Sequence, residues 1–473
     1  MVNTKIVCTL GPATDSPETI RQMILSGMNI ARLNFSHSTY QQHKHYISLV
    51  RETSAKLNMP VAILADLQGP KIRVGKFRQG IKSVPLNPGK TYILTTEPYQ
   101  GDETKINVDY PQLHKYVEKN DIIYIDDGNI ELKAVKVTGR NITCEIIIGG
   151  ELSERKGVNI PHKFLPLPAV TAEDIKDLKF VMNLPVDFIA ASFTRNKHGI
   201  LKIRQILKNH GKQDKFSIIS KIEDEEGIQN IDEIIDVSDG IMVARGDMGV
   251  SLPRAMVPIV QKELIRKCRS KSKPVIVATQ MFESMISNPH PTRAEVNDVA
   301  NSILDGADCV MLSAETSKGK YPVQTVREMR NVIETIENSY DYRKMIDSRD
   351  YYCNDSLLIH QLGIAIDDLS QAKDIKAIVC ITKTGNTAKI LSAYRPGVPI
   401  IASTVDRNII NRLIIYSGII PVWMKYVSNV ETHYRDIISR IKQLKLIKTG
   451  DKIIVTSGIK TKPFQANIQV MEV

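Results

Sequence analysis

Short apolar runs alternate with amphipathic stretches along the first 340 residues or so of the chain. The apolar runs are rich in β-branched residues and end in turns, which is typical of buried strands; they are residues 4–10, 28–33, 61–66, 186–191, 216–221, 239–244, 274–279 and 307–312. Stretches with helical periodicity lie between most of these runs, at 16–26, 40–57, 172–182, 197–210, 255–272 and 322–338. Strands that are apolar almost throughout, separated by helices, predict a parallel sheet buried on both faces.

The number of repeats separates two candidate folds. Eight strands alternating with helices is the count of a TIM (β/α)8 barrel, and we predict that fold. A doubly wound open sheet is the competing α/β fold, but no G-x-G-x-x-G sequence follows the first apolar run.

The pattern changes twice, which predicts two further domains. Residues 70–165 alternate between apolar and polar positions, for example at 121–125, 130–137 and 142–148, with glycines at the turns. We expect a small β-barrel lid domain here, inserted into a barrel domain made of 1–69 and 166–340. A C-terminal α/β domain is expected at 341–473, with strands at 376–381, 398–404, 451–456 and 467–472 and helices at 355–370, 386–394 and 430–445.

Polar residues follow nearly every predicted barrel strand. Each one taken alone is more often a helix cap or a solvated turn. In a barrel, however, the carboxyl ends of all strands share one face, and the active site lies there. We therefore predict a convergent ring that contains Arg32, Asn34, Asp66, Ser192, Lys221, Glu223, Arg245, Asp247, Thr279, Ser313 and Glu315.

The ring contains a pair of carboxylates that suits a metal ion. Glu223 and Asp247 follow neighbouring strands about 5 Å apart, and two carboxylates with water and ligand oxygens are a typical Mg²⁺ site. The alternative is a structural network in which Arg245 and Lys221 neutralise the two acids. Lys221 and Arg32 would place positive charges beside this carboxylate pair. Such an arrangement favours phosphoryl transfer, because negative charge develops during the transfer and has to be matched.

Composition narrows the ligand class. The formal charge is +11 and the pI about 9.1, but only 5% of residues are aromatic. A basic surface with few stacking platforms favours a phosphorylated small molecule over nucleic acid. No Walker sequence is present, and His37 and His45 have no partner at metal-ligand spacing.

The expected location and redox state follow from three further features. No run approaches the roughly 20 apolar residues of a membrane helix, and the N-terminus lacks a signal-peptide pattern. The six cysteines are far apart and form no C-x-x-C pair. We expect a cytoplasmic protein with buried thiols and no membrane partner.

Several long motifs together resemble the pyruvate kinase family. They are CTLGPAT (8–14), NIARLNFSH (29–37), GPKIR (69–73), SKIEDEEG (220–227), VARGDMGV (243–250), ATQMFESM (278–285), PTRAEVNDVANSILDGADCVMLSAET (291–316) and TKTGNTAKILSAYRP (382–396). They occur in the family's order along the whole chain, on both sides of the inserted lid. The resemblance implies transfer of a phosphoryl group from phosphoenolpyruvate to ADP, giving pyruvate and ATP.

The resemblance also implies a role for each matching residue. Arg32 would hold the transferring phosphoryl group and Lys221 would stabilise it in transit. Glu223 and Asp247 would bind Mg²⁺, with Mn²⁺ as a second candidate ion.

Further matching positions imply the rest of the substrate site. The substrate carboxylate would lie on the backbone of Gly246 and Asp247 and on Thr279, near which the enolate is protonated. The nucleotide would be held by Asn34, His37, Arg73 and Lys156.

The chain resembles the branch of the family that works without K⁺. The usual K⁺ ligands Asn34, Ser36 and Asp66 are retained, but Gly69-Pro70 is followed by Lys71 where potassium-dependent members have Glu. The residues at 67, 68 and 74 also match the potassium-independent branch. We interpret this as a vestigial monovalent-cation site in which the Lys71 ammonium replaces the ion. The alternative is a lysine that only faces solvent at the lid hinge.

Regulation and assembly are also implied by the resemblance. The loop Thr382, Lys383, Thr384, Gly385, Asn386, Thr387 would hold a phosphorylated allosteric effector, such as a sugar phosphate or a nucleoside monophosphate. The alternative is an ordinary helix cap at Asn386 or Thr387.

Family members are usually homotetramers. One departure from the family is Ser38, where glycine is the commonest residue.

Two function classes other than a pyruvate kinase are also compatible with parts of the sequence. A metal-dependent barrel lyase or aldolase acting on pyruvate-like acids would also use a carboxylate pair, but would not need Arg32, Arg73 and Lys156 for phosphates. An inactive sensor of phosphorylated metabolites is the non-enzyme alternative. Retention of Lys221 and Glu223 argues against it.

Overall fold

Eight parallel strands close into a barrel, so the TIM-barrel prediction is confirmed and the open-sheet alternative is wrong. The structure is a computed structural model that describes residues 2–339, 342, 357–425, 430–457 and 467–473. Barrel strands one to eight, in chain order, are Lys5–Thr9, Met28–Asn34, Ala62–Asp66, Phe188–Ala191, Ser217–Ile222, Gly240–Ala244, Val275–Ala278 and Cys309–Leu312. Strand one pairs with strands two and eight, which closes the ring.

Helices surround the barrel. The longer ones are Pro17–Ser26, Tyr40–Leu57, Ala172–Val181, Lys197–Asn209, Ile231–Val237, Val257–Ser270, Arg293–Leu304 and Pro322–Glu337. Short helices follow strands five, six and eight at Glu225–Gln229, Arg245–Ser251 and Ala314–Ser317, and 3₁₀ turns lie at Pro12–Thr14, Leu113–Lys115, Arg254–Met256 and Glu283–Ile286. Hydroxyl caps begin several of them. For example, Ser16 Oγ accepts the N–H of Thr19 at 3.1 Å.

The barrel strands bury side chains on both faces. Residues such as Leu64, Phe188 and Met242 fill the interior of the barrel. Neighbours in the same strands, such as Ile63 and Ile189, pack outward against the helices. This double burial explains why the strand sequences are apolar almost throughout rather than alternating.

The inserted β domain is confirmed, as a curled half-barrel whose strands form two sheets. Its strands are Ser83–Leu86, Thr91–Thr95, Lys105–Asn107, Ile122–Ile125, Ile130–Thr138, Asn141–Ile148, Gly150–Ser153 and Val158–Asn159. Six of them form one sheet and Ser83–Leu86 pairs with Gly150–Ser153 in a second. Burial alternates at the start of Ile130–Thr138, because one face covers the lid core and the other faces solvent. The exact limits 70 and 165 stay a prediction.

The C-terminal part is an α/β layer with a five-stranded sheet. Its strands are Ile375–Ile381, Ile400–Thr404, Ile419–Trp423, Lys452–Ser457 and Asn467–Glu472, and its helices are Leu357–Ser370, Asn386–Ala393, Arg407–Leu413 and Val430–Gln443. The predicted start of the first helix at 355, the boundary at 340/341 and Cys353 lie outside the described residues.

Two elements of this domain were not predicted from the sequence, the strand Ile419–Trp423 and the helix Arg407–Leu413. The strand contains Pro421, which argues against a strand because proline cannot donate to a sheet. It forms because it lies at the edge of the sheet, where a missing donor is tolerated.

Two general predictions can be compared with the structure. Among the described residues, no helix is both long and apolar enough to cross a bilayer. The described cysteines are free and buried, namely Cys8, Cys144, Cys268, Cys309 and Cys380. Burial raises the pKa of each thiol, which keeps it protonated.

A buried ion pair joins the C-terminal domain to the floor of the barrel, the face opposite the carboxyl ends of the strands. Arg395 approaches Asp308 at 3.0 Å, and the two side chains are only 6% and 3% exposed. Asp308 also accepts the N–H groups of Val275 and Ser417, each at 3.0 Å. Its carboxylate therefore ties strand seven to the loop before Ile419–Trp423.

We expect Arg395→Met to lower the apparent free energy of unfolding by about 3–5 kcal/mol, because it leaves the Asp308 charge buried without its cation. Denaturant titration followed by circular dichroism measures the change. The matched control is Lys452→Met, which breaks an exposed pair with Asp374 at 2.6 Å and should cost about 0–1 kcal/mol. Equal effects of the two variants would contradict the importance of the buried pair.

Candidate active site

Lys221 lies at the centre of the barrel mouth, near the carboxyl end of strand five. Its Nζ is 3.2 Å from Asp66 Oδ1 and 3.1 Å from Glu223 Oε1, and it donates to Ser192 Oγ at 2.6 Å. Burial opposes the charge, but Asp66 and Glu223 together raise the pKa of Lys221 above its ordinary value. The ammonium therefore stays charged although it is almost inaccessible to solvent.

Arg32 pairs with the same Asp66 from strand two. Its Nε and Nη2 both lie 2.7 Å from Asp66 Oδ2, and its Nη1 donates to Thr9 Oγ1 at 2.9 Å. Burial would raise the pKa of Asp66, but Lys221 and Arg32 hold it below its usual range. Asp66 thus orients two cations that point into the mouth of the barrel.

Glu223 is a buried carboxylate with too little compensating charge. Its Oε1 meets Lys221, and its Oε2 accepts the backbone N–H of Phe193. Burial, opposed by Lys221 but assisted by the nearby Asp247, raises the pKa of Glu223. A cation placed between Glu223 and Asp247 would relieve this imbalance.

Asp247 pairs with Lys71 from the lid hinge. Lys71 Nζ lies 2.9 Å from Asp247 Oδ1 and 3.3 Å from Asp127 Oδ1 of the lid. Burial works against the lysine charge, yet Asp247 and Asp127 raise the pKa of Lys71. The reading that Lys71 only faces solvent is therefore wrong. These ion pairs bring the Lys71 ammonium to Asp247, the predicted metal ligand, rather than among Asn34, Ser36 and Asp66.

The hinge conformation that delivers Lys71 depends on Gly69. Gly69 has φ +69°, and a Cβ there would lie 2.7 Å from Ser192 Cβ. Its N–H donates to Asp174 Oδ1 at 3.0 Å. Only glycine fits this close approach between the hinge and strand four.

The alternative to a metal site is a structural network in which Lys221 and Arg245 neutralise Glu223 and Asp247. Only the Lys221 part of that network is present among the described residues. Lys221 does pair with Glu223, but Arg245 turns away from Asp247. Arg245 instead approaches Asp298 at 2.7 Å and donates to the Thr279 carbonyl at 2.7 Å. Arg245 therefore supports the loop that carries Thr279.

The donor set fits Mg²⁺. Among the described residues, no three or more His, Cys, Asp or Glu side chains are grouped so as to hold a metal ion. Two carboxylates near each other, with the remaining positions left to water and substrate oxygens, are how proteins usually hold Mg²⁺. Glu223 and Asp247 are the residues that would hold it.

Thr279 and Gly246 form a joined platform at the ends of strands six and seven. The N–H of Gly246 donates to Thr279 Oγ1 at 2.8 Å, and that hydroxyl donates to the Ala278 carbonyl at 2.6 Å. Thr279 itself has φ +71°, an uncommon conformation for a β-branched residue. Strained backbone held in place by neighbours is frequent at binding sites.

Comparisons with known proteins found matches along nearly the whole chain. The family model for the pyruvate kinase barrel domain matches residues 1–326, and the model for the pyruvate kinase alpha/beta domain matches residues 362–471. Pyruvate kinases of Staphylococcus aureus strains MRSA252 and USA300 are each 42% identical over 98% of this chain and 78% of their own length. A crystal structure of a pyruvate kinase from Cryptosporidium parvum is 34% identical, with a TM-score of 0.91, and the match covers 100% of this chain and 96% of that one.

The chain belongs to the pyruvate kinase family. It is a phosphotransferase that converts phosphoenolpyruvate and ADP to pyruvate and ATP in glycolysis. The lyase and sensor alternatives are thereby set aside.

In this pyruvate kinase, the predicted nucleotide and K⁺ residues other than Asp66 belong to two parts of the chain, the end of strand two and the lid. Asn34 is the last residue of strand two, and Ser36 and His37 lie in the turn that follows, where Asn34 Oδ1 accepts the Ser36 N–H at 3.1 Å. Arg73 and Lys156 belong to the lid side, where Arg73 donates to the Arg155 carbonyl at 3.1 Å and Lys156 approaches Asp126 at 2.7 Å.

The predicted effector loop of the pyruvate kinase lies in the C-terminal domain, between the strand Ile375–Ile381 and the helix Asn386–Ala393. Gly385 is the N-cap residue, with φ +84°, and its N–H donates to Thr382 Oγ1 at 2.9 Å. The ordinary cap by Asn386 or Thr387 is therefore wrong. Lys383 and Thr384 are exposed.

Sequence reasoning missed three features of the pyruvate kinase site. They are the lid carboxylate of Asp127, the Phe193 N–H that holds Glu223, and the contact between Lys71 and Asp247. All three border a cleft of about 780 Å³, open to solvent, between lid and barrel. No local pattern marks them, since their partners come from distant parts of the chain.

Proposed function

We propose that the ring at the barrel mouth carries out phosphoryl transfer with Arg32 and Lys221 as the charges that hold the moving group. The observation that supports this most is the buried, charged Lys221, which lies 3.1 Å from Glu223 and is fixed by Asp66. A loose phosphoryl transition state needs position and charge rather than a nucleophilic side chain. In the reaction, the bond from the enol oxygen to phosphorus breaks while a bond from an ADP β-phosphate oxygen to phosphorus forms.

The substrate carboxylate would bind where Gly246 and Thr279 meet. Thr279 Oγ1 now accepts the N–H of Gly246, so substrate binding would turn that donor toward the carboxylate. The enolate left after transfer takes up a proton at its methylene carbon beside Thr279. Mg²⁺ held by Glu223 and Asp247 would supply positive charge to the phosphoryl and carboxylate oxygens.

Asn34, His37, Arg73 and Lys156 would hold the nucleotide between the strand-two turn and the lid. Lys156 is paired with Asp126 at 2.7 Å, so it can exchange this carboxylate for a phosphate when ADP arrives. ADP, ATP, phosphoenolpyruvate and pyruvate are the ligands in this proposal. We propose no nucleic-acid partner.

K⁺ would not be required, because Lys71 already brings a fixed ammonium to the metal carboxylate. Lys71 Nζ lies 2.9 Å from Asp247 Oδ1. Asp66, a ligand in the vestigial site, is paired with Arg32 and Lys221. A permanent charge near the reacting group can replace the field of a bound ion.

A phosphorylated effector would bind at the loop from Thr382 to Thr387. Gly385 caps the helix Asn386–Ala393 without a side-chain acceptor for the first-turn N–H groups. These donors, with the exposed Lys383 and Thr384, suit a phosphate group.

A homotetramer stays a prediction. Exposed apolar side chains support subunit contacts, with Met256 and Ile259 on the barrel and Val470 on the edge strand Asn467–Glu472.

We expect Lys221→Met to remain folded but less stable, because Asp66 and Glu223 lose a buried cation, and to lower kcat about 10³-fold, because one preorganised charge is removed from the transition state. A coupled assay for pyruvate formation from phosphoenolpyruvate, with and without ADP, measures this and also tests the reaction itself in the wild type. The matched control is Lys215→Met, two residues before the start of the same strand, where Nζ donates to the Met182 and Leu184 carbonyls at 2.9 and 2.7 Å and lies over the Phe216 ring. Near wild-type turnover of a folded Lys221→Met enzyme would remove Lys221 from the mechanism.

We expect the wild-type rate to change little when K⁺ is replaced by tetramethylammonium at constant ionic strength with Mg²⁺ present. Lys71→Glu should make the enzyme respond to K⁺, because it puts a carboxylate beside Asp247 in place of an ammonium. Lys71→Met is the control, since it removes the charge without supplying a cation ligand. A wild-type rate that collapses without K⁺ would show that Asn34, Ser36 and Asp66 still hold the ion.

We expect a sugar phosphate or nucleoside monophosphate to lower the phosphoenolpyruvate concentration needed for half-maximal rate by about fivefold or more. Isothermal titration calorimetry with a panel of such compounds should show binding that Lys383→Met weakens. Lys376→Met, an exposed lysine near the start of the preceding strand, is the control and should leave binding unchanged. If no compound of the panel binds, the effector proposal fails.

A further inference from the structure

The turn after strand two is held in an unfavourable conformation. Ser38 has φ +70°, in the left-handed region that glycine adopts without cost. For other residues this region costs roughly 1–2 kcal/mol. Some contact must therefore keep the turn in place, and the turn contains the proposed nucleotide ligands Asn34 and His37.

The contact comes from His43, in the first part of the helix Tyr40–Leu57. His43 Nε2 lies 3.1 Å from the carbonyl oxygen of His37, the residue directly before Ser38. A carbonyl oxygen only accepts, so Nε2 carries the proton and donates. The same carbonyl belongs to the peptide unit whose orientation sets the left-handed conformation at Ser38.

His43 is itself held rigidly. Its ring stacks on Phe35 with centroids 4.3 Å apart and planes 18° apart, and the residue is 2% exposed. The helix begins at a capping box, in which Thr39 Oγ1 accepts the Gln42 N–H at 3.3 Å and Gln42 Oε1 accepts the Thr39 N–H at 2.8 Å. A donor fixed in this way can hold a neighbouring turn.

Packing alone does not explain why residue 43 is a histidine rather than another aromatic residue. Its Nδ1 is buried and has no hydrogen-bond partner among the described residues, which is an unfavourable situation for a polar atom. A phenylalanine would stack on Phe35 without this cost. The one contact that phenylalanine could not make is the hydrogen bond to the His37 carbonyl. Burial also lowers the pKa of His43 to about 4, so the ring is the neutral donor near pH 7.

We infer that His43 is a positioning residue for nucleotide binding: its Nε2–H holds the His37 carbonyl and keeps Asn34 and His37 in their binding orientation against the strain at Ser38. The inference rests on the proposed nucleotide roles of Asn34 and His37. It adds a residue that does not contact the nucleotide, and it gives a function to the serine that replaces the usual glycine. With serine at 38, the turn depends on the His43 hydrogen bond more than a glycine-containing turn would.

The test is steady-state kinetics with ADP and phosphoenolpyruvate varied separately. We expect His43→Phe to raise the KM for ADP about tenfold, which corresponds to about 1.4 kcal/mol. The KM for phosphoenolpyruvate should change less than about twofold, because the proposed carboxylate site lies at the ends of strands six and seven, and Arg32, although on strand two, is held by Asp66 and Thr9. His43→Gln, which can still donate from a similar position, should keep most of the ADP affinity. Adding Ser38→Gly to His43→Phe should recover about threefold or more of the loss, because glycine removes the strain.

Three further variants make the outcome decisive. His360→Phe removes another buried histidine hydrogen bond, to the Tyr394 hydroxyl at 2.8 Å, and should leave both KM values unchanged. If His43→Phe does not fold, His43→Asn, which is too short to reach the carbonyl, should show the same rise in the KM for ADP. A wild-type KM for ADP in these variants, an equal rise in both KM values, or no recovery with Ser38→Gly would overturn the inference. If Asn34→Ala leaves the KM for ADP unchanged, the nucleotide role of the turn fails instead, whatever His43 does.

Discussion

The catalytic mouth depends on a set of buried charges that neutralise one another. Lys221 lies between Asp66 and Glu223, and Asp66 is shared with Arg32. Buried ions are tolerated only when they are paired, and removing one leaves its partner uncompensated. Since these four residues belong to strands two, three and five, their mutual attraction also sets the positions of the strand ends. Cations fixed in this way need no rearrangement when charge develops on a phosphoryl group.

Lys71 connects the lid to the charges of the barrel mouth. Lys71 contacts Asp127 of the lid and Asp247 of the barrel. Lys71 lies in the hinge after Gly69, whose backbone lies too close to Ser192 for any side chain. The ammonium therefore links the position of the lid to the charge on a proposed metal ligand. A metal ion on Asp247, as we propose, would weaken the attraction between Lys71 and Asp247 and would favour the pairing of Lys71 with Asp127.

The turn after strand two shows a different way to hold a site. His43, stacked on Phe35, makes a neutral hydrogen bond to the His37 carbonyl, with no ion pair in that contact. A neutral donor adds no field to a site that already contains Arg32 and Lys221. The mouth thus combines charge pairing, where we propose that the phosphoryl group moves, with neutral support, where we propose that the nucleotide lies.

The sequence by itself determined the eight barrel strands, the inserted β domain and the residues at the strand ends, because burial and periodicity are local properties of a strand and parallel strands all end on one face. Only the tertiary structure decided which side chains meet there. Lys71 pairs with Asp247, and Arg245 turns to Asp298, although each partner is distant along the chain. The strand containing Pro421 likewise forms only because it lies at a sheet edge. Such pairings depend on packing between elements, and no local pattern records them.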